Sequence, residues 1–408
     1  VHILLLNQYF PPDTSATANI AATVAQALSK RHRVTVLAGR PSYDPREQYP
    51  YSLLRREARN GPVVERVGST AYPRHRMHRR VANYLSYVSL AVPRALSIKA
   101  DLVLAMTDPP FAGIAGAMIA RTKGIPFVYN IRDLYPDMAV GGEIVQRRSW
   151  VALWERMHRS ALRHAERVIV LGDDMRERIL AKGVAPERVV VIRDGAAEAS
   201  PPIPANHPVI GEIRGSAGFV VLHAGNLGFY GAWSTLLEAA KSFNGDGTQL
   251  VFVGDGANRM RLEDASRSCA AIRFLPFRSP EEIPCVMAAG DLHVVTIRRA
   301  LSGVVVPSKL YSILAAGRPI LVVASEETDA ARIVRENACG LVADPDNPAA
   351  VAAAIRVLRS DPARLRAMGE RAREASKKYA RVAELDKYIG VIEQAACPRP
   401  LGGKNLEP

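Results

Sequence analysis

Residues 302–325 read SGVVVPSKLYSILAAGRPILVVAS, and three kinds of chain follow one another within them. The apolar, β-branched run Val304–Val306 stops at Pro307, and a helix pattern starts at once. Leu310, Ile313 and Leu314 recur at helical spacing, and Gly317 and Pro319 close the pattern. A second β-branched run, Ile320–Val323, comes next. Strand, crossover helix and strand in this order form the unit of a parallel sheet. At the junction stand Ser308 and Lys309. A cation in the first turn of a helix opposes the macrodipole at a cost of roughly 0.3–1 kcal/mol. Either the lysine is a solvated side chain beside a Pro-Ser start, or an anion is expected there. In the second case backbone N–H groups, a hydroxyl and an ammonium converge on a phosphate.

The same alternation runs along the chain. HILLLN (2–7), a helix over 17–31, RVTVLAG (33–39), DLVLAM (101–106), a helix over 111–123, PFVYNI (126–131), RVIVLG (167–172), a helix over 174–182 and RVVVIRDG (188–195) make a first half. Residues 196–217 are proline-rich and without a clear period, which predicts an interdomain linker. The pattern restarts with GFVVLHAGN (218–226), a helix near 233–243, QLVFVGDG (249–256), IRFLPF (272–277), LHVVTI (292–297), the Lys309 helix, PILVVAS and GLVAD (340–344). From Pro348 to Ala396 the pattern is helical. The expected architecture is α/β, with two Rossmann-like, doubly wound domains facing each other across a cleft. The domains span 1–196 and 218–380, joined by 197–217, and a tail over 381–408 returns to the first domain. Ligands of such sheets lie beyond the carboxyl ends of the strands.

A chain of 408 residues exceeds what a single core usually serves. Its four cysteines lack paired or Cys/His spacing, which argues against a disulfide framework or a zinc site and fits a reducing compartment. VHILLLNQYF lacks a basic leader and reads as a core strand rather than a signal peptide. No apolar run reaches the roughly 18 residues of a spanning helix. The net charge of +14 calls for an anionic partner: nucleic acid, lipid or phosphorylated substrate. No zinc-finger, RNP-like or aromatic-interleaved basic motif is present, so nucleic acid is not the expected partner.

The ordered set AGNLGFYGAWSTLLEAA (224–240), LVFVGDG (250–256), FLPFRSPEEIP (274–284) and VPSKLYSILAAGRPIL (306–321) resembles glycosyltransferase family 4. The first half agrees, through NQYFPPDTSATA, TDPP, NIRDLYPD and LGDDMRERILAKGV…VVVIRDG. The likeness is to bacterial transferases of the colanic-acid and O-antigen type. It implies the GT-B fold, a nucleotide-sugar donor, UDP- or GDP-linked, and transfer with retention. It implies no separate cofactor, and nothing in the chain resembles a DxD metal motif. Many members carry two glutamates near the Lys309 helix. Here Ser312 stands at the second position and no acid occurs from Leu301 to Ser308. Many also carry an Arg and a Lys after the first strand of the second half, where this chain has Asn226 and Tyr230. By this resemblance Ser308 and Lys309, with Arg298 and Arg299 behind them, are expected to neutralise the diphosphate. Gly225, Asn226 and Ser312 are expected beside the donor.

Other positions carry two readings each. Gly256 and Asp255 make a tight turn or approach the donor. Phe277 is core or lies near the nucleotide base. Asp133, at a strand end, is a solvated loop acid, or by resemblance to the family's His-Asp pair it orients or deprotonates the acceptor hydroxyl. Arg132 stands where His is common and is expected to meet a phosphate. Thr14 or Ser15 is expected to cap a helix, in a loop that contacts substrate. RHRMHRR (74–80) precedes a segment with Leu85, Val88, Val92 and Leu96 on one helical face. This is a core helix with a solvated start, or a surface that docks on anionic headgroups to reach an acceptor such as a polyprenyl-diphosphate-linked sugar. A retaining glycosyltransferase, peripheral on the cytoplasmic face of the membrane, is the expected function. A nucleotide-sugar epimerase or an inactive sugar-nucleotide-binding protein are the alternatives.

Overall fold

The structure, a computed structural model, describes residues 1–42, 49–58, 61–72, 76–146, 149–198, 203–243 and 245–397. The first domain is built on an eight-stranded sheet in the order β3-β4-β2-β1-β5-β6-β7-β8. Its strands are β1 (His2–Leu6), β2 (Arg33–Ala38), β3 (Leu54–Ala58), β4 (Val63–Val67), β5 (Leu102–Ala105), β6 (Phe127–Asn130), β7 (Arg167–Val170) and β8 (Val189–Val191). All pairings are parallel except the β3–β4 hairpin at the edge. That hairpin escapes the periodicity argument because β3, LRREA, is an exposed, charged edge strand, as edges that avoid further pairing are. Helices α1 (Ala16–Ser29), α2 (Met77–Ser97), α3 (Ala112–Lys123), α4 (Asp137–Gly141), α5 (Ser149–His164) and α6 (Asp173–Ala181) complete the domain.

The second sheet has six parallel strands in the order β11-β10-β9-β12-β13-β14. These are β9 (Phe219–Ala224), β10 (Thr248–Val253), β11 (Ile272–Leu275), β12 (Leu292–Thr296), β13 (Ile320–Val323) and β14 (Gly340–Ala343). The helices are α7 (Pro208–Arg214), α8 (Trp233–Lys241), α9 (Arg259–Ser266), α10 (Ile283–Ala289), α11 (Lys309–Ala315), α12 (Asp329–Glu336), α13 (Pro348–Arg359), α14 (Pro362–Lys378) and α15 (Arg381–Ala396). Strands such as VVLH and LVFV are buried on both faces, the cause of their unbroken apolar runs. Helix α15 packs on α1, with Tyr388, Ile389 and Ile392 in the core of the first domain.

Two sequence expectations need correction. Residues 196–217 are not linker throughout, because 208–214 form α7 with Val209, Ile210 and Ile213 buried. Pro208 opens that helix and His207 accepts a hydrogen bond from the Val209 N–H; the helix is too short to display a period. Val304–Val306 is not a strand of the sheet either. It forms a single antiparallel bridge, Asp133 to Val305, between the two domains. Its apolar character comes from burial of Val304 and Val305 at that boundary.

Candidate functional site

Two loops of the second domain meet at the carboxyl ends of its strands. Gly225 follows β9, and Gly254, Asp255 and Gly256 follow β10. The two loops are laced together: Gly225 N–H donates to the Val253 carbonyl and Leu227 N–H to the Asp255 carbonyl, both at 2.8 Å. Gly254 has φ of +147°, and a Cβ there would stand 2.1 Å from the Gly225 oxygen. The glycine is required by close approach of two backbones as well as by its φ. Asp255 and Asn226 are exposed, and the Asp255 carboxylate accepts from the Gly256 N–H at 2.7 Å. Phe277 is 60% exposed beyond the end of β11, so the core reading of that aromatic is set aside.

Lys309 is the first residue of α11, as its sequence position predicts. Its ammonium does not curl back to its own helix; it reaches across to β9. Nζ lies 2.8 Å from His223 Nε2 and 3.2 Å from Tyr230 Oη, over the face of the Tyr230 ring. Burial lowers its pKa from 10.5 to about 7. Among the described residues no carboxylate pairs with it. Tyr230 in turn donates to the Asn226 carbonyl. Of the two positions where the resemblance implies basic residues, Tyr230 contacts Lys309 and Asn226 holds Tyr230 through its carbonyl. Ser308 is exposed at the N-cap position and its side chain makes no cap bond. Ser312 is half-buried one turn further on.

The arginines expected behind Lys309 are engaged elsewhere. Arg299 is held by Asp344 at 2.6 Å and Asp346 at 2.5 Å, and Arg298 reaches Glu143 of the first domain at 2.6 Å. Sequence spacing shows that they neighbour Lys309 along the chain, but not which carboxylates the fold brings to them.

On the first-domain side, the Arg132 and Asp133 N–H groups both point to Thr107 Oγ1, at 3.2 and 3.3 Å. Burial, reinforced by the negative charge of Asp108, raises the Asp133 pKa from 3.8 to about 6, against the opposing pull of Arg132 and Arg80. Arg132 itself is committed to Asp194 at 2.5 Å, with both side chains largely buried. It ties the end of β6 to the chain leaving β8, and its charge is shared with that carboxylate. Ser15 caps α1, its Oγ accepting from Ala18 N–H at 3.0 Å, while Thr14 is exposed.

Arg80 was missed as a site residue because the seven-residue basic run that it ends, RHRMHRR (74–80), reads as a helix start. In the fold it points inward. Its Nε donates to Tyr84 Oη, and its charge acts on Asp133 and Tyr135. Arg74 lies outside the described residues. His223 was also missed, although a lone histidine inside the apolar strand FVVLHA is a visible signal.

The domains meet through this site. Leu134 N–H donates to the Val304 carbonyl at 3.0 Å, and Arg178 Nε to the Ser302 carbonyl at 2.7 Å. A charge cluster centred on the buried Asp329 lies at the same boundary: Arg193 binds Asp173 and Asp329, each at 2.8 Å, and Arg332 bonds to the same two carboxylates.

Comparison with known proteins agrees with this arrangement. Residues 16–195 match the model of the glycosyl transferase 4-like domain, and residues 214–375 match glycosyl transferases group 1. The probable glycosyltransferase WbjE of Pseudomonas aeruginosa is 26% identical over 81% of this chain and 83% of its own. The putative colanic acid biosynthesis glycosyl transferase WcaI of Escherichia coli K12 is 24% identical over 63% of this chain and 66% of its own. Anabaena HepE, solved in complex with UDP, superposes with a TM-score of 0.67 at 18% identity, covering 97% of this chain and all of that one. With the two domain models following each other along the chain and two doubly wound domains joined at the Asp133–Val305 bridge, the chain belongs to the glycosyltransferases of the GT-B fold.

Proposed function

We propose that this glycosyltransferase is a retaining, family 4 hexosyltransferase. In this reading it moves a sugar from a UDP- or GDP-linked donor to a lipid-linked or glycan acceptor of a cell-surface polysaccharide. The observation that carries it is Lys309, a largely buried ammonium with no carboxylate partner among the described residues. Burying a cation is costly without a counter-charge, and a nucleoside diphosphate supplies one. The ammonium then stabilises the charge that develops on the leaving diphosphate. In this role it takes the place of a metal, and no other cofactor takes part. Asp133, its pKa raised to about 6, is a carboxylate near neutral pH and orients or deprotonates the acceptor hydroxyl. Retention follows if the leaving diphosphate and the incoming hydroxyl use one face of the sugar. The names of WbjE and WcaI and the UDP bound by HepE support the choice of donor and of product class.

A membrane-anchored acceptor places the enzyme on the cytoplasmic leaflet as a peripheral protein. No helix among the described residues is long and apolar enough to cross a membrane. The surface of α2 supports docking: Met77, Val81 and Leu85 are exposed at successive turns beside Arg76 and Arg79. The apolar face expected from sequence is shifted, since Val88 and Val92 are half-buried while Leu85 and Leu96 are exposed.

The test is transfer from a panel of UDP- and GDP-sugars to a membrane extract, with the anomeric configuration of the product read by NMR. A product of retained configuration is expected. Inverted product, or interconversion of donor sugars without transfer, overturns the proposal.

A further inference from the structure

Lys309 is presented by a residue that belongs to a different element and has no counterpart in the diphosphate chemistry itself. His223 lies in β9 and is fully buried. Its Nδ1 is 3.3 Å from the Val294 carbonyl on β12. A carbonyl only accepts, so Nδ1 carries the proton, and burial together with the Lys309 charge keeps the ring neutral. Nε2 is then a lone-pair acceptor, and the Lys309 ammonium donates to it at 2.8 Å. The ring is locked from the sides as well. Trp233 meets it edge-on at 4.8 Å and Phe252 at 5.9 Å.

An ammonium has three N–H donors. One goes to His223 and one to Tyr230 Oη. The third has no partner among the described residues, and beside it lies Gly225, whose missing side chain would have stood 3.5 Å from Nζ. Two fixed acceptors set the direction of the third hydrogen, on a side chain that otherwise has four rotatable bonds.

We infer that His223 is the positioning residue of the donor site: its Nε2 lone pair fixes the Lys309 ammonium so that the remaining N–H faces a diphosphate lying against the Gly225 loop. This rests on the proposed nucleotide-sugar reading of the site. The groups around Lys309 are few. β9 contributes His223, the loop before α8 contributes Tyr230, and β12 contributes His293, which acts weakly through His223 and is itself bonded to the Met287 carbonyl. Helix α14, packed on α11, buries Met368, Ala372 and Ala375. A neutral acceptor at 2.8 Å favours the charged form of the lysine, so the ring also extends diphosphate binding to higher pH.

The experiment separates the two ring nitrogens. In His223→Gln the side-chain amide reaches the place of Nε2 and keeps the contact to Lys309. In His223→Asn it reaches only the place of Nδ1 and keeps the bond to Val294. UDP binding is measured by calorimetry from pH 6 to 9 on both variants, the wild type and Lys309→Met. His223→Gln is expected to bind within about threefold of wild type. His223→Asn is expected to lose tenfold or more, with its alkaline limit of binding moved to lower pH. Equal binding and equal pH limits in His223→Asn and wild type overturn the inference, as does an equal loss in both His223 variants. If Lys309→Met binds UDP as wild type does, the donor-site reading falls instead, and the inference with it.

Discussion

Asp133 and Val305 are paired backbone to backbone across the domain boundary. The pairing joins the proposed acceptor-side carboxylate to the segment that delivers Lys309, which follows Val305 after Val306, Pro307 and Ser308. Leu134 and Val304 extend the contact by a further hydrogen bond. The two groups on which the proposed chemistry depends are thus carried by segments bonded to each other, although they belong to different domains. Precise relative placement of reacting groups is worth several orders of magnitude in rate, and this pairing is the structural means to it.

The first prediction concerns pH. The proposed mechanism needs Asp133 ionised and Lys309 protonated, and these groups titrate at about 6 and about 7. The pH profile of kcat/KM, which reports the free enzyme, should be a narrow bell between those values. Lys309→Arg should remove the alkaline limb, since arginine stays charged. A flat alkaline side in the wild type would refute the assignment.

Asp133→Asn should retain UDP affinity and lose transfer by about 100-fold or more, as expected for removal of a general base. Single-turnover transfer with saturating donor measures it. Activity within twofold of wild type removes Asp133 from the mechanism.

Lys309 also predicts a stability effect with a definite sign. Its pKa is 10.5 when exposed and about 7 in the fold, so between these values the unfolded chain binds more protons than the native one. Stability of the ligand-free protein should therefore rise as pH goes from about 7 toward 10.5 by this contribution. The difference between wild type and Lys309→Met, followed by thermal melts, should shrink over that window. A difference independent of pH would show that the lysine is not desolvated.

The buried charges at the domain boundary should matter more than those on the surface. Asp329 is 1% exposed and holds Arg193 from the other domain. Without Arg193 the buried Asp329 carboxylate keeps only Arg332 as a cation, and loss of the charge-assisted bonds costs about 1.5–3 kcal/mol. Arg193→Ala should lower the melting temperature by several degrees. Arg335→Ala, which breaks an exposed pair with Glu326, should cost less than about 1 kcal/mol. Equal effects would show that the boundary cluster is not a mechanical link.

Membrane docking is predicted to depend on Arg76 and Arg79 and not on Arg80. At about 1 kcal/mol for each charge near an anionic surface, Arg76→Gln with Arg79→Gln should weaken vesicle co-sedimentation by roughly 30-fold. Arg80→Gln should leave it unchanged, because that guanidinium bonds to Tyr84 and faces Asp133. Raising salt to about 1 M, where the Debye length is about 3 Å, should mimic the double variant. Equal sedimentation of all forms at low salt would reduce the arginines to a solvated helix start.

The amino-acid sequence by itself determined the two parallel sheets, because strands buried on both faces must be apolar throughout and their crossover helices must show a helical period. It determined Lys309 in the first turn of α11 and narrowed the cap of α1 to Thr14 or Ser15, since both follow from local backbone geometry; the fold selects Ser15. It did not reveal the β3–β4 edge, which carries charges instead of a buried face, or α7, which is shorter than two full turns. Tertiary structure alone decided which charges are free. Arg132, Arg298 and Arg299 look equivalent to Lys309 in sequence, yet each meets a carboxylate from a distant part of the chain, while Lys309 meets a neutral imidazole and a phenol. The pairing of a charge depends on distances between segments far apart in the chain. Local periodicity carries no record of those distances, and so only the folded chain distinguishes a cation paired with a carboxylate from one that is not.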